Sequence, residues 1–313
     1  MKETKMIIQE IASREPFVAM SRNVMEVLRR SVDVQSLFIT VNNKVDNFIV
    51  AAADQQNQLL DAGASLPFEQ TYCKLVCAGG RTATVIPDTQ RDPLTAVLGI
   101  TRQLGRSSFI GVPLCWSNGE AFGTICALDK RVRHFSPQEV DLFQSMAALL
   151  SHVLSVEYER YKDPVTDAFN RKFLETLQLS RDVTRSPLAA LYVDLRGFKE
   201  INRMFGHAYG DGLLSRCART IIKFCGEEAA LVRLQGDQFV VLIPETHPIR
   251  LAERGQALLA GLQKIRLPSG EFLTASIGAA LSDAWTASIN DLIYRADIKM
   301  LSVKSRSGHG FVY

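Results

Sequence analysis

The rhythm of apolar and polar positions changes several times along this chain, and each change predicts an element. Residues 36–41 and 45–52 are rich in β-branched and aromatic side chains and are separated by the turn pair Asn42-Asn43, which predicts a hairpin. Residues 109–114 and 121–128 have the same texture around Ser117-Asn118-Gly119-Glu120, with Gly111 and Gly123 where side chains would crowd. The first half therefore reads as an antiparallel sheet with flanking helices. At Ser136 the period lengthens. Ser136, Pro137 and Glu139 stand at the N-cap, first helical and capping-box positions. Val140, Phe143, Met146 or Ala147, Leu150, Val153 or Leu154, and Tyr158 then recur at spacings of three and four. One apolar stripe of about 22 residues follows, and it stops at Asp163-Pro164 because proline disfavours a helical residue before it. Such a helix either packs on its own domain or leaves it to pair with a second copy as a signalling stalk, and the second is the expectation carried forward.

Beyond it, the pattern alternates between helix and strand. A capped helix from about residue 170 precedes a fully apolar run over 188–193 that ends at Asp194. A buried strand ending in a carboxylate is a way to present a metal ligand at a sheet edge. Residues 197–224 are helical in pattern with a break over 206–211. Runs at 231–234 and 239–243 flank the polar turn Gln235-Gly236-Asp237-Gln238, which predicts a second kind of hairpin. A helix over 248–264, a strand over 272–281, a helix over 291–304 and a terminal strand over 311–313 complete an α/β layer.

Composition narrows the class. With 313 residues, 47% hydrophobic and 22% charged, the chain is globular and long enough for two domains. A net charge of +3 is too small to argue for nucleic acid or a membrane surface, so any ligand must be read from local sites. The N-terminal stretch interleaves Lys2, Glu3, Lys5 and Glu10 with apolar residues, unlike a leader peptide, and no apolar run approaches a bilayer span, so a cytoplasmic location is expected. Cys73, Cys77, Cys115, Cys126, Cys217 and Cys225 are spread too widely for a disulfide scaffold. They read as structural thiols, with a redox or metal role as the other reading.

Three clusters at fixed spacing carry a family resemblance. They are Asp163 to Arg171 with Thr166 and Asn170; Asp194, Phe198, Lys199 and Asn202; and Gly206-His207 with Gly210-Asp211. Together with Arg233 to Phe239, Ala275 to Gly278, Ala296-Asp297, Met300 and Lys304, they resemble the GGDEF family of diguanylate cyclases. The first half, with Thr71-Tyr72-Cys73, Pro87-Asp88, Gly111 to Leu114 and Gly123 to Asp129, looks like a GAF domain. The fold class implied is α/β (α+β): a GAF sheet over 1–135, a connecting helix over 136–162 and a palm-like GGDEF domain over 163–313. GAF ligands vary, so that resemblance names none, and Cys73 and Cys126 line such a pocket by family position only, ordinary core packing being the other reading.

The cyclase resemblance implies two facing subunits, each with one GTP, joined into cyclic di-GMP. On it, Asp194 and Asp237 are the Mg²⁺ carboxylates, as suits two-metal phosphoryl chemistry. Lys199 and Lys304 contact phosphates, Asn202 and Asp211 read guanine, and Gly236 belongs to the nucleotide-side turn. The signature itself departs from the family, reading Gln235-Gly236-Asp237-Gln238-Phe239 in place of Gly-Gly-Asp/Glu-Glu-Phe. Gln235 puts a long side chain where a bare backbone is expected. Gln238 has the shape of glutamate but no charge, and a lost general base costs about 10² to 10⁴ in rate. Lys304 is followed by a segment one residue longer than the family's, with His309 at the arginine position, and the inhibitory product motif aligns with residues 226–229, where it is absent.

Plainer readings stand beside these. Asp211 caps a helix, His207 is a turn histidine, Lys199 is a solvated face, or the Gln235–Gln238 segment is only a polar turn. The expectation is a signalling protein with a degenerate GGDEF domain, acting through guanine-nucleotide binding or a protein partner. The alternative is a weakly active cyclase. A parallel homodimer through the GAF domain and helix is expected in either case.

Overall fold

A computed structural model of the protein describes residues 4–54, 61–180, 188–226, 229–283, 286–306 and 308–313. The chain divides into two compact units, one over Thr4–Arg160 and the other from Tyr161 onward.

In chain order the first unit contains α1 (Thr4–Ala12), α2 (Glu15–Ser31), β1 (Ser36–Asn42), β2 (Asp46–Asp54), β3 (Ser65–Pro67), α3 (Cys73–Ala78), β4 (Thr84–Ile86), α4 (Gly99–Leu104), β5 (Ser108–Cys115), β6 (Ala121–Asp129) and α5 (Pro137–Glu159). Its strands run β3-β2-β1-β6-β5-β4, all antiparallel. Both predicted hairpins form. The β1–β2 turn is held by Asn43, whose Oδ1 accepts from the N–H groups of Val45 and Asp46 at 2.9 and 2.6 Å. Alternation along β1 divides its two faces: Leu37, Ile39 and Val41 point one way, Phe38, Thr40 and Asn42 the other. Thr40 pairs with Thr124 and Phe38 with Cys126, so the second face carries buried polar groups beneath α3. Gly111 is required under that helix, because a Cβ there would sit 2.4 Å from Val76 Cγ2.

The predicted capping box is made: Ser136 Oγ accepts from the Glu139 N–H, and Glu139 Oε2 accepts from the Ser136 N–H at 2.7 Å. The stripe expected to leave its domain instead packs on it, and tertiary packing chooses which of the sequence's alternatives face inward. Phe143, Ala147, Leu150 and Leu154 are buried within the first unit. A second apolar row at spacing four and three, Leu142, Met146, Leu149, Val153 and Val156, stays half-buried or exposed, with Leu149 at 42% and Val156 at 48%.

The second unit contains β7 (Phe169–Asn170), α6 (Arg171–Ser180), β8 (Ala189–Leu195), α7 (Phe198–Phe205), α8 (His207–Cys225), β9 (Ala230–Gln235), β10 (Gln238–Ile243), α9 (Pro248–Leu262), β11 (Ala275–Leu281), α10 (Ile289–Arg306) and β12 (Gly310–Val312). The order is β12-β11-β8-β10-β9-β7, antiparallel through the middle and parallel at the two outer pairs. Wholly buried β8 is central. Leu191, Val193, Phe239, Val241, Ile277 and Ala279 form the main core with α7, α8 and α9. The other sheet face is covered by α10, which approaches so closely that a Cβ at Gly278 would lie 2.2 Å from Ala296 O.

The predicted break over 206–211 is confined to Gly206, in the left-handed region at φ 83°; helix resumes at His207 and runs through Gly210 and Asp211. Asp211 is therefore not a helix cap, and His207 is the first residue of α8, exposed, rather than part of a turn. The aligned inhibitory motif has its two middle positions, 227 and 228, outside the described residues.

Candidate functional site

The site is built where β8 leaves the sheet. Asp194 lies one residue inside the strand end, not at it, and is 3% exposed. Its direct neighbours across the ladders are Gln238 on β10 and Ser276 on β11. Directly opposed residues point to one face, so Asp194, Gln238 and, two residues back, Tyr192 share the face covered by α10.

Their side chains are connected. Lys304, near the C-terminus of α10, places Nζ 2.9 Å from Asp194 Oδ1 and 2.8 Å from Oδ2. The Gln238 amide donates to Asp194 Oδ2 at 3.4 Å, and its own oxygen accepts from the Tyr192 hydroxyl at 3.2 Å. Asp194 is thus met by protein donors on both oxygens. Burial, together with nearby Asp297 and Asp194, pushes the Tyr192 hydroxyl up to about 12, which keeps it a donor at neutral pH.

Asp237 occupies the turn between β9 and β10. Gly236 beside it adopts φ 55°, which glycine takes without strain. The turn is fixed from behind by Arg233, whose Nε and Nη2 bond Gly236 O at 3.0 and 2.8 Å while Nη1 bonds both oxygens of Asp163 at 3.0 and 3.2 Å. Asp163 also accepts from the hydroxyl and N–H of Thr166. The residues that open the second unit thereby anchor its hairpin. Burial, reinforced by the charge of Asp194, raises the Asp237 carboxyl above its ordinary value; Lys304 and Lys199 oppose the shift. Asp194, Asp237, Lys199 and Lys304 therefore share one electrostatic neighbourhood. Gln235 lies opposite Gln238 and is exposed without positive φ, so its backbone accommodates the missing glycine.

The positions expected to meet a nucleotide, Lys199, Asn202 and Asp211, lie on α7 and α8. Gly197, at φ 69°, starts α7 three residues after Asp194 with no side-chain cap, so the first-turn N–H groups are open to an anion. Lys199 is on that first turn. Asn202, one turn on, has a buried Oδ1 with no hydrogen-bond partner. That atom sits against Gly210, where a Cβ would be 1.8 Å away. Asp211 follows, exposed. A buried amide acceptor with no donor among the described residues and an exposed carboxylate one helix away suit a ring that presents N–H donors.

His309 Nδ1 accepts from the Ala275 N–H at 3.2 Å, and Nε2 contacts the Gln263 amide, so both ring nitrogens are engaged beside the start of β11. Arg196, which the sequence did not single out, lies against the neighbouring Gly308: a Cβ on Gly308 would lie 1.5 Å from its Nη1. Tyr192 was also missed, although its place two residues before Asp194 on a strand was a usable signal.

For a divalent cation, the oxygen donors present are Asp194 and Asp237. Among the described residues no group of three or more His, Cys, Asp or Glu side chains could hold a metal. Two carboxylates fit Mg²⁺ when phosphates and water complete its shell.

A family model described as diguanylate cyclase, GGDEF domain, matches residues 160–309, and one for the GAF domain matches 17–154. Diguanylate cyclase DgcP of Escherichia coli is 26% identical across 95% of this chain and 93% of that protein. Diguanylate cyclase TpbB of Pseudomonas aeruginosa is 32% identical over 51% of this chain, which spans only 39% of TpbB. A solved GGDEF domain of TpbB matches at 32% identity over 48% of this chain and 91% of its own, with a TM-score of 0.43. Among the described residues, no helix is long and apolar enough to cross a membrane.

Proposed function

We infer that this chain, a GAF domain followed by a GGDEF domain, is a cyclic di-GMP signalling protein whose GGDEF unit binds a guanine nucleotide and lacks effective cyclase activity. One observation carries the reading. At the fourth signature position Gln238 donates an N–H to Asp194, and Lys304 bonds both oxygens of the same carboxylate. A glutamate there would set two carboxylates face to face and need a cation to hold them; glutamine needs none and cannot accept a proton from a 3′-hydroxyl.

Nucleotide binding is supported separately. The open N-terminus of α7 and Lys199 suit phosphates, and the unpartnered Asn202 Oδ1 and exposed Asp211 suit guanine. Asp194 and Asp237 are the groups that would hold Mg²⁺, which when bound offsets phosphate charge. Calorimetry with GTP and Mg²⁺ tests binding: no heat from a folded sample reduces the unit to a protein-interaction domain. Incubation with GTP followed by chromatography tests turnover.

A second reading, a weakly active diguanylate cyclase joining two GTP, is favoured by the retention of both Asp194 and Asp237 in one electrostatic neighbourhood. It requires cyclic di-GMP that disappears in Asp237→Ala.

The quaternary reading is a parallel homodimer through the GAF unit and α5. Its support is the second apolar row, Leu142, Met146, Leu149, Val153 and Val156, at the spacing of a two-helix seam. A concentration-independent monomer by light scattering overturns it.

A further inference from the structure

Under α3 in the GAF unit lies a buried polar cluster that the nucleotide site does not use. Thr40 and Thr124, opposed on β1 and β6, have hydroxyl oxygens 2.9 Å apart. Cys73 Sγ sits against them, 3.2 Å from Thr124 Oγ1 and 3.7 Å from Thr40 Oγ1, and accepts from Asn47 Nδ2 at 3.3 Å. Cys126 Sγ donates to the same Thr124 hydroxyl at 3.2 Å, and Cys73 and Cys126 belong to one buried cluster. Two thiols therefore share one hydroxyl. Beside them, the Oδ1 atoms of Asn42 and Asn47 are buried without a partner. Buried acceptors of this kind are ordinarily met by a small polar molecule. The bare oxygen of Asn47 belongs to the same amide that donates to Cys73, so a donor molecule bound to it lies alongside that sulfur.

We propose that Cys73 is a peroxide-reactive thiol and that its oxidation by hydrogen peroxide closes a disulfide with Cys126, fastening α3 to β6. Hydrogen peroxide supplies two O–H donors in a volume close to that of water, and Cys73 retains 7% exposure for its entry. The Cys73 thiolate attacks one peroxide oxygen; the S–O bond forms, the O–O bond breaks, and hydroxide leaves to take up a proton. Cys126 then attacks the sulfenic sulfur, the S–S bond forms, and the displaced hydroxide departs with the Cys126 proton as water. Two thiols are oxidised and one peroxide is reduced to two waters.

The roles are not interchangeable. Cys73 accepts from the Thr124 hydroxyl and the Asn47 amide, bonds that favour its thiolate, whereas Cys126 donates its own S–H to the Thr124 oxygen. Burial drives Cys77, Cys217 and Cys225 up to about 12. Cys73 is thus the attacking thiol and Cys126 the resolving one.

The test uses the full chain, reduced, freed of reductant and exposed to stoichiometric hydrogen peroxide, with non-reducing peptide mapping by mass spectrometry. A Cys73–Cys126 crosslink that reverses with dithiothreitol is expected, with Cys73 consumed at least about tenfold faster than Cys217 and Cys225 in the same tube. In Cys126→Ala the crosslink disappears and dimedone traps a sulfenic acid at Cys73. Equal consumption of Cys73 and the two reference cysteines overturns the proposal, as does a crosslink through Cys77 in place of Cys126. The comparison within the unsubstituted protein decides even if the variant does not fold.

Discussion

Replacing Gln238 by glutamate tests the central claim about the signature turn. The Gln238 Nε2 to Asp194 Oδ2 separation is 3.4 Å. Gln238→Glu turns that donor into a second negative charge, and two unit charges at this distance repel by about 5 kcal/mol at an effective dielectric of about 20. Lys304, already on both Asp194 oxygens, cancels much of this, and Gln238 is only half-buried. A net loss of about 2–3 kcal/mol remains once the lost hydrogen bond to a charged acceptor is included. For a unit of this size that is roughly 5–10 °C in Tm. A divalent cation reverses the sign, because the new carboxylate becomes a ligand; Mg²⁺ at about 100 times its Kd returns about 2.7 kcal/mol. Calorimetric unfolding of both proteins in EDTA and in excess MgCl₂ gives the readout. The expected result is a wild-type transition that barely responds to Mg²⁺ and a variant transition that is low in EDTA and recovers with Mg²⁺. Identical responses of the two proteins, or a variant as stable as wild type in EDTA, refute the argument that Gln238 replaces a metal-dependent contact.

Three further substitutions probe the same unit. Lys304→Met leaves the buried Asp194 carboxylate without its cation and should cost about 1–3 kcal/mol in EDTA while adding Mg²⁺-dependent stability; an unchanged thermal transition in EDTA would show the pair to be idle. Gly210→Ala places a Cβ 1.8 Å from Asn202 Oδ1, so calorimetry should find GTP affinity reduced about tenfold or more, while the gain of about 1 kcal/mol from alanine in a helix offsets the crowding in Tm. Asp163→Asn addresses pH. Burial opposes ionisation there, but the Thr166 and Arg233 bonds hold the carboxyl below its ordinary value, so the stability it contributes is present above the ordinary carboxylate range and lost as pH falls through the lowered value. Thermal melts should show wild type ahead of Asp163→Asn at neutral pH and the gap closing below about pH 4; a gap independent of pH would assign the effect to packing.

Much of this protein follows from its sequence, because local rules are read locally. Two-residue alternation and turn pairs fix β1–β2 and β5–β6, the Ser136-Pro137-Glu139 box fixes the start of α5, and Gly206 ends α7. Asp194, Asp237, Lys199, Asn202, Asp211 and Lys304 were singled out by the resemblance to the GGDEF family, which implies metal, phosphate and guanine roles for them. Other features depended on partners distant in the chain. The connection Tyr192–Gln238–Asp194–Lys304 joins residues 46, 44 and 110 positions apart, and it exists because strand register puts three of them on one face and α10 lies across it. Which alternatives on α5 face inward, the engagement of His309 beside β11, and the clustering of Cys73 with Cys126 under α3 were likewise decided by packing. The sequence determined which chemical groups are present and where the backbone turns. Tertiary structure decided which groups meet, since a contact between distant positions is set by register and close packing and has no local period to announce it.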